Sequence, residues 1–155
     1  MKESPEAVRV FLGGRRFAVA GVSRDGRQAA NAIFRKLRQS GYDVAPVNPA
    51  AREVEGVPCY PDLASVPGDL DGLIVAAPPS AAASLVAQCA ERGVRRIWFH
   101  RSFGAGSVAD DAVAAARARG LEVLVGGCPL MYCAPVDPFH RCMRWWLARS
   151  GRVPG

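Results

Sequence analysis

The segment VAGVSRDGRQAA, from Val19 to Ala30, holds the residues whose types and spacing are best suited to binding an anion. Gly21, Ser23 and Gly26 follow a short apolar stretch and precede an apolar pattern with helical spacing. A Gly-x-Gly-x-x-Gly spacing in this context binds dinucleotide phosphates, so serine here replaces the middle glycine. The free N–H groups and the dipole of the following helix favour a phosphate, and the Ser23 hydroxyl adds a donor. The sequence therefore predicts a phosphate-binding loop, with a generic strand-to-helix turn as the alternative.

Three arginines accompany this loop. Arg24 and Arg27 lie within it, and Arg52 follows the second predicted strand, which ends in Asn48-Pro49. NAD sites usually carry an acidic residue at that strand end, and none is present there. A guanidinium instead favours a phosphorylated ribose, either the 2′-phosphate of NADP or the 3′-phosphate of coenzyme A. The alternative is that all three are surface arginines.

The third predicted strand ends in Ala77-Pro78-Pro79, next to the phosphate loop in the expected sheet. Two consecutive prolines remove two N–H donors and make a rigid apolar ledge, which suits an adenine or a pantetheine arm. The same residues are also typical of a stiff connection in which Ser80 caps the next helix.

His100 ends the fourth predicted strand. A general base would need a carboxylate partner or a substrate proton within reach, and Asp110 or Asp111 are the nearby candidates in the sequence. The alternatives are a surface histidine at a strand end and a hydrogen-bonding contact to a ligand. No set of catalytic residues stands out, so enzymatic activity stays open and binding without catalysis is favoured.

Three cysteines and a histidine fall within fifteen residues: Cys128, Cys133, His140 and Cys142. The spacing lacks a Cys-x2-Cys knuckle, and His140 and Cys142 lie on opposite sides of a helix, so no metal site is expected. We expect Cys128 to pack after the last strand and Cys142 to lie on the buried face of the last helix. A redox or mixed-disulfide role for Cys128 or Cys133 stays open.

Apolar stretches alternate with helical patterns along the whole chain. Strands are predicted at 17–21, 42–47, 73–77, 96–99 and 121–125, and helices at 5–12, 27–40, 80–92, 107–119 and 137–150. A short extended piece is predicted at 56–60 and one helical turn at 61–66. This alternation predicts an α/β fold with one doubly wound, Rossmann-like, mostly parallel five-stranded sheet and helices on both faces. We expect a single domain, residues 1–155, with its core at about 15–130 and an added C-terminal helix.

The C-terminal helix carries an apolar row opposite its basic residues. The row consists of Phe139, Cys142, Met143, Trp146 and Leu147. Docking of this face on the core is the expected role. A membrane surface, a protein partner or a homodimer interface is the alternative.

Composition and charge bear on whether the chain binds nucleic acid, is secreted or spans a membrane. The net charge is +6, and 18 of the 20 basic residues are arginine, which fits either codon bias or a preference for polyanions. No basic cluster indicates nucleic acid. Five cysteines without a secretory signal favour a reducing cytoplasm. The charge-free run from Leu73 to Ala90 is interrupted by two prolines, so we expect a strand, a turn and a helix there and no membrane span.

Between Phe17 and Leu130 the chain resembles the small coenzyme-A-binding proteins, which are similar to the CoA-binding domain of the succinyl-CoA synthetase α subunit. The resemblance rests on the pieces FAVAGVSRDGRQAANAIFRKLRQSGYDVAPVNP, GVPCYPDLASVP, DLDGLIVAAPPS, GVRRIWFH and GLEVLVGGCPL. It departs from the family's pattern at FHRSFGAGS, after the fourth strand. The phosphohistidine domain of the synthetase has no counterpart in this sequence, so ligase activity is not implied.

The resemblance implies a Rossmann-like fold that holds coenzyme A at the strand ends. The residues it implies for the diphosphate are Gly21, Val22, Ser23 and Arg24. The residues implied beside the adenosine are Val47, Asn48 and Pro49. Those implied to line the next wall of the binding site are Ala77, Pro78 and Pro79. We add Arg27 and Arg52 to these candidate ligand-binding residues because of their charge, and His100 because of its position at a strand end.

Three functions follow as hypotheses. The first is binding of coenzyme A or acyl-CoA without catalysis. The second is a small NAD(P)-dependent oxidoreductase, disfavoured by the missing acid after the second strand. The third is an interaction module that uses the basic C-terminal helix.

Overall fold

The computed structural model describes residues 4–102 and 104–154 of the chain. In chain order, its elements are α1 (Glu6–Leu12), β1 (Arg16–Ala20), α2 (Ala29–Gln39), β2 (Asp43–Val47), β3 (Glu53–Val54), β4 (Val57–Pro58), β5 (Gly72–Val75), α3 (Ala82–Arg92), β6 (Arg96–Phe99), α4 (Asp110–Ala118), β7 (Glu122–Val125) and α5 (Pro138–Arg149). Short 3-10 turns precede α3 at Pro79–Ala81 and α5 at Pro129–Met131.

Five strands form one parallel sheet in the order β2-β1-β5-β6-β7. Ala18 in β1 pairs with Ala45 on one side and Leu73 on the other. The strand order reverses at β1, because β2 lies on one side of it and β5 on the other. This arrangement confirms the predicted doubly wound, Rossmann-like fold. In sheets of this kind ligands bind outside the carboxyl ends of the strands where the order reverses, which here are β1 and β5.

Both faces of the sheet are covered, which is why its strands are apolar throughout. On one face α1, α2 and α5 pack around Trp98, whose indole N–H donates to the Gly126 carbonyl at 2.8 Å. Phe11 stacks on Phe17 and meets Trp98 edge to face in the same layer. On the other face α3 and α4 pack on Leu73, Val75, Ile97 and Phe99.

Several local predictions need correction. The N-cap residue of α1 is Pro5, so this helix begins one residue later than the predicted 5–12. Ser80 lies inside the 3-10 turn before α3 and makes no side-chain cap there, because the prolines start that turn two residues early. Residues 61–66 form turns without a helix. The antiparallel hairpin of β3 and β4 was not predicted, since each strand has only two residues.

The run from Leu73 to Ala90 forms β5, the 3-10 turn and most of α3, as predicted. Among the described residues, no helix has the length and apolar content that a membrane crossing requires.

Helix α5 begins as predicted, with the Asp137 carboxylate accepting the His140 N–H at 3.0 Å. Its predicted buried face is wrong in part, because only Met143 and Leu147 are buried in the helix. Cys142 is exposed. One narrow row of the helix, spaced by four residues, therefore contacts the core, and the rest of the apolar row faces outward.

Phe139, Trp145 and Trp146 are 65%, 61% and 53% exposed, respectively. Arg149 lies over the Trp145 ring at 4.8 Å from its centroid. We call these three aromatic residues the α5 aromatic patch.

Candidate functional site

Gly21 directly follows β1 in a backbone conformation with φ of +104°, which favours glycine. A Cβ atom on this residue would lie 2.5 Å from the Ala76 carbonyl oxygen and 2.8 Å from the Ala77 nitrogen. The loop after β1 and the segment after β5 are thus in backbone contact at the point where strand order reverses. Only a residue without a side chain permits this approach.

The end of β2 is joined to the same loop. The Gly21 N–H donates to the Val47 carbonyl at 3.0 Å, and Asn48 Nδ2 donates to the Val22 carbonyl at 2.9 Å. Asn48 Oδ1 accepts the Ala50 N–H at 2.9 Å, which fixes the amide orientation. The structure therefore brings together three of the four strand ends that the sequence analysis selected, those of β1, β2 and β5.

Polar side chains from α2 and from the turn between β3 and β4 form a hydrogen-bonded network that contacts the loop after β1. Asn31 in α2 is fully buried; its Oδ1 accepts the Ser23 N–H at 2.9 Å, and its Nδ2 donates to the Ser23 carbonyl at 2.8 Å. The same Nδ2 donates to Glu55 Oε1 at 2.7 Å, and Arg35 Nη1 pairs with that oxygen at 2.7 Å. Sequence reasoning missed these three residues; the polar Asn31 within the apolar row of α2 was the one available signal.

The loop has unused hydrogen-bonding capacity. Within residues 4–102 and 104–154, the backbone N–H groups of Arg24, Asp25 and Arg27 donate to no protein acceptor. The Ser23 Oγ is buried and has no partner among the described residues. Buried polar atoms are normally hydrogen-bonded, so this hydroxyl and these amides fit an anionic ligand such as a diphosphate. We call residues 21–27 the cradle loop.

The arginines are less closely tied to the cradle loop. Arg24, Arg27 and Arg52 are exposed, and Arg27 Nε pairs with Asp25 Oδ1 at 3.0 Å. Exposed ion pairs such as that of Arg27 with Asp25 are weak and exchange partners easily. The contacts of the three arginines with a phosphate therefore stay a prediction.

The ledge after β5 has the predicted position. Ala77 is buried against the loop after β1, whereas Pro78 and Pro79 are exposed beside it. Pro49, after β2, is exposed as well. These apolar surfaces lie on both sides of the cradle loop, and their contacts to an adenine or pantetheine stay a prediction.

His100 is buried and not at the surface, because the loop after it folds back and the Ser107 N–H donates to the His100 carbonyl at 2.8 Å. Its Nε2 lies 3.2 Å from Ser102 Oγ. Burial lowers the pKa of His100 to about 4, so the ring is neutral at pH 7. The Asp111 carboxylate, one of the suggested partners, instead accepts the Ala112 N–H.

This buried ring predicts a pH dependence of stability. The pKa of His100 is lower in the folded chain than the ordinary 6.5, so the unfolded chain binds an extra proton between about pH 6.5 and 4. Stability present above pH 6.5 is then lost as the pH falls through this window, by up to about 3 kcal/mol at its lower end. Urea unfolding at pH 7 and pH 4.5 should show a larger loss for the wild type than for His100→Gln. Equal losses in the two proteins would contradict this assignment.

The cysteines have structural surroundings. Burial raises the pKa of Cys128 to about 12 and that of Cys133 to about 11, so both thiols are protonated at pH 7. Cys128 packs after the last strand, as predicted. The described residues contain no group of three or more His, Cys, Asp or Glu side chains that could hold a metal ion.

Two grooves lie away from the cradle loop. One, of about 430 Å³, is lined by α1 and the start of β7, including Glu6, Phe11 and Glu122. The other, of about 400 Å³, is lined by the ends of α3 and α4. Both include residues at the amino ends of strands, opposite the edge where ligands of parallel sheets bind.

A doubly wound parallel sheet with a glycine-dependent cradle at its switch point defines the class of Rossmann-like nucleotide-binding domains. Residues 15–134 match the model of the family described as the CoA binding domain. The chain belongs to this family.

Curated relatives are much longer than this chain. The α subunit of the ADP-forming acetate–CoA ligase II from Pyrococcus furiosus is 32% identical over 88 residues, which cover 56% of this chain and 19% of the relative. An ADP-forming acetate–CoA ligase II from Archaeoglobus fulgidus is 33% identical over 81 residues, which cover 50% of this chain and 12% of that enzyme. The chain thus matches less than a fifth of the length of these enzymes.

Solved structures share the fold. A hypothetical protein from Pyrococcus horikoshii OT3 is 27% identical with a TM-score of 0.70, covering 79% of this chain and 89% of that one. A dinucleotide forming acetyl-coenzyme A synthetase 1 from Ca. Korarchaeum cryptofilum, in complex with phosphate and ADP, is 28% identical with a TM-score of 0.64. The match covers 77% of this chain and 27% of the synthetase.

Proposed function

We propose that this protein binds coenzyme A, or an acyl-CoA, with its diphosphate in the cradle loop. The observation that carries the proposal is the buried Ser23 Oγ, which has no hydrogen-bond partner among the described residues and lies beside the backbone N–H groups of Arg24 and Asp25, which have none there either. Membership in the CoA binding domain family supports coenzyme A over other nucleotides.

The roles of the individual residues form part of the proposal. Gly21, Val22, Ser23 and Arg24 hold the diphosphate, mainly through backbone N–H groups and the serine hydroxyl. Val47, Asn48 and Pro49 flank the adenosine, and Ala77, Pro78 and Pro79 form the facing wall. Arg27 and Arg52 attract the phosphates, including the one on the ribose, while His100 contacts the ligand as a neutral hydrogen-bonding group.

We propose binding without catalysis by this chain alone. His100 is buried beside Ser102, and its suggested carboxylate partner Asp111 is engaged with its own helix. The chain covers less than a fifth of the ligases it resembles. A role of this domain in presenting coenzyme A to another protein is consistent with that relationship.

Titration calorimetry tests the ligand directly. We expect coenzyme A to bind more tightly than 3′-dephospho-CoA, because the missing phosphate removes one charge-assisted contact. We also expect it to bind more tightly than NADPH, whose ribose phosphate is on the 2′ and not the 3′ position. Ser23→Ala should weaken coenzyme A binding about tenfold while leaving the free energy of unfolding unchanged, since this hydroxyl has no described protein partner. Ser40→Ala, whose hydroxyl bonds the Ala134 carbonyl far from the cradle loop, is the matched control. Binding of NADPH but not coenzyme A would instead support the oxidoreductase hypothesis.

A second candidate role is self-association through the α5 aromatic patch. Residues 138–155 contain four arginines and no acidic residue, so charge repulsion opposes packing of one α5 on another. The groove beside α1 offers apolar side chains together with the Glu6 carboxylate, while Glu122 in the same groove is paired with Arg96 at 3.0 Å. We propose a homodimer in which α5 of one copy occupies that groove of the other.

Sedimentation velocity over a range of protein concentrations tests the homodimer. The wild type should shift toward twice the monomer mass as concentration rises, and the double variant F139A/W145A should remain monomeric. A wild-type protein that stays monomeric at every concentration would rule out this role for the patch.

A further inference from the structure

Three buried side-chain atoms lack a hydrogen-bond partner in the part of the chain that the structure describes: Arg16 Nε, Ser23 Oγ and Arg101 Nε. Arg16 nevertheless has the Asp43 carboxylate 3.1 Å from its Nε, at the amino edge of the sheet. Ser23 and Arg101 follow β1 and β6, so both lie at the carboxyl edge. Two unsatisfied donors thus mark one edge of the sheet, on either side of β5.

The backbone of Arg101 is fixed at the end of β6, and its guanidinium lies near Gly126, after β7. Its N–H donates to the Gly127 carbonyl at 3.0 Å, which bridges the ends of β6 and β7. A Cβ on Gly126 would lie 3.7 Å from Arg101 Nη2, and one on Gly106 would lie 2.7 Å from Arg101 Cα. Two glycines therefore flank the backbone and guanidinium of this arginine.

No described carboxylate pairs with this guanidinium. Its neighbour His100 is neutral at pH 7 and supplies no negative charge. A guanidinium that is partly removed from water without an anion is costly, and an anionic group from a ligand would remove that cost.

The spacing suits an elongated ligand. β1 and β6 are separated by one strand, which places their ends about 10 Å apart. The Arg101 guanidinium lies farther from β1 than the end of β6, because it is near Gly126, after β7. The arm of coenzyme A that follows the diphosphate contains two amides and is about as long as an extended peptide of four residues. A peptide of that length spans roughly 14 Å. An arm of this length that runs from Ser23 across the strand ends would be long enough to reach Arg101.

We propose that Arg101 binds a carboxylate at the distal end of the acyl group, so that the preferred ligand is a dicarboxylic acyl-CoA. This inference rests on the proposed binding of coenzyme A. A carboxylate matches the planar, two-pronged donor geometry of guanidinium, and a short uncharged acyl group does not.

Calorimetry with coenzyme A, acetyl-CoA, succinyl-CoA and 3′-dephospho-CoA tests the inference on the whole chain. The wild type should bind succinyl-CoA about tenfold more tightly than acetyl-CoA, since hydrogen bonds to charged groups are among the stronger ones. Arg101→Gln should remove this preference and leave the affinity for acetyl-CoA within about twofold. Arg95→Gln, an exposed arginine before β6, should retain the preference.

The outcomes separate the two proposals. Equal binding of acetyl-CoA and succinyl-CoA by the wild type overturns the inference while leaving coenzyme A binding intact, and this result requires no variant. Failure of every CoA compound to bind overturns the proposed function itself. If Arg101→Gln instead abolishes discrimination between coenzyme A and 3′-dephospho-CoA, Arg101 contacts the ribose phosphate and the inference is wrong.

Discussion

Replacement of Gly21 by alanine should lower the free energy of unfolding by about 3–5 kcal/mol and abolish coenzyme A binding. The φ of +104° costs an alanine about 1–2 kcal/mol. The new methyl group would also overlap the Ala76 carbonyl oxygen at 2.5 Å, and backbone atoms cannot rotate away as a flexible side chain can. The loop after β1 and the segment after β5 must therefore separate, which opens the cradle loop. Chemical denaturation and calorimetry with coenzyme A measure the two effects.

Gly41 provides the matched control. Its φ of +91° carries a similar backbone penalty, but a Cβ there would have no neighbour within 4 Å. Gly41→Ala should cost only about 1–2 kcal/mol and leave coenzyme A affinity unchanged. Equal destabilisation by both substitutions would show that the contact with Ala76 contributes nothing.

Replacement of Asn31 by leucine should cost about 2–4 kcal/mol of stability and lower coenzyme A affinity more than tenfold. The substitution keeps the volume of the side chain but removes both hydrogen bonds to the Ser23 backbone. It also leaves Glu55 with Arg35 as its one described side-chain partner. Ser23 would then lose the geometry that directs its hydroxyl and the neighbouring N–H groups. Denaturation and calorimetry again report on the two effects separately.

Gln88 is the control for loss of a partly buried amide. It accepts the Leu63 N–H and donates to Ser84, on the opposite face of the sheet from Asn31. Gln88→Leu should destabilise the fold without changing coenzyme A affinity. If both amide substitutions weaken binding equally, the effect of Asn31 is a general consequence of lower stability.

The architecture and the position of the cradle loop could be predicted from residue types. Continuous apolar strands separated by helical patterns allow few arrangements other than a parallel sheet covered on both faces. Gly21 could be identified because a tight turn after a strand requires a glycine at a defined position. The predicted limits of β6 agree with the structure, and those of β1 differ by one residue at each end.

The support beneath the cradle loop could not be predicted, because it depends on tertiary contacts between distant residues. Asn31 and Glu55 are 24 positions apart, and their contact requires a hairpin whose strands have two residues each. The burial of His100 depends likewise on the following loop folding back over it. For α5, periodicity identified an apolar row but not the narrow part of it that reaches the core.

The backbone contact between Gly21 and Ala76 has a thermodynamic consequence for ligand binding. It fixes the turn after β1 against the proline ledge before any ligand arrives, so the entropy of ordering that turn is lost during folding and not during association. A preorganised surface of this kind lets more of the interaction free energy appear as affinity. The heat-capacity change of binding should then reflect only the apolar area that ligand and protein bury against each other, without a contribution from coupled folding.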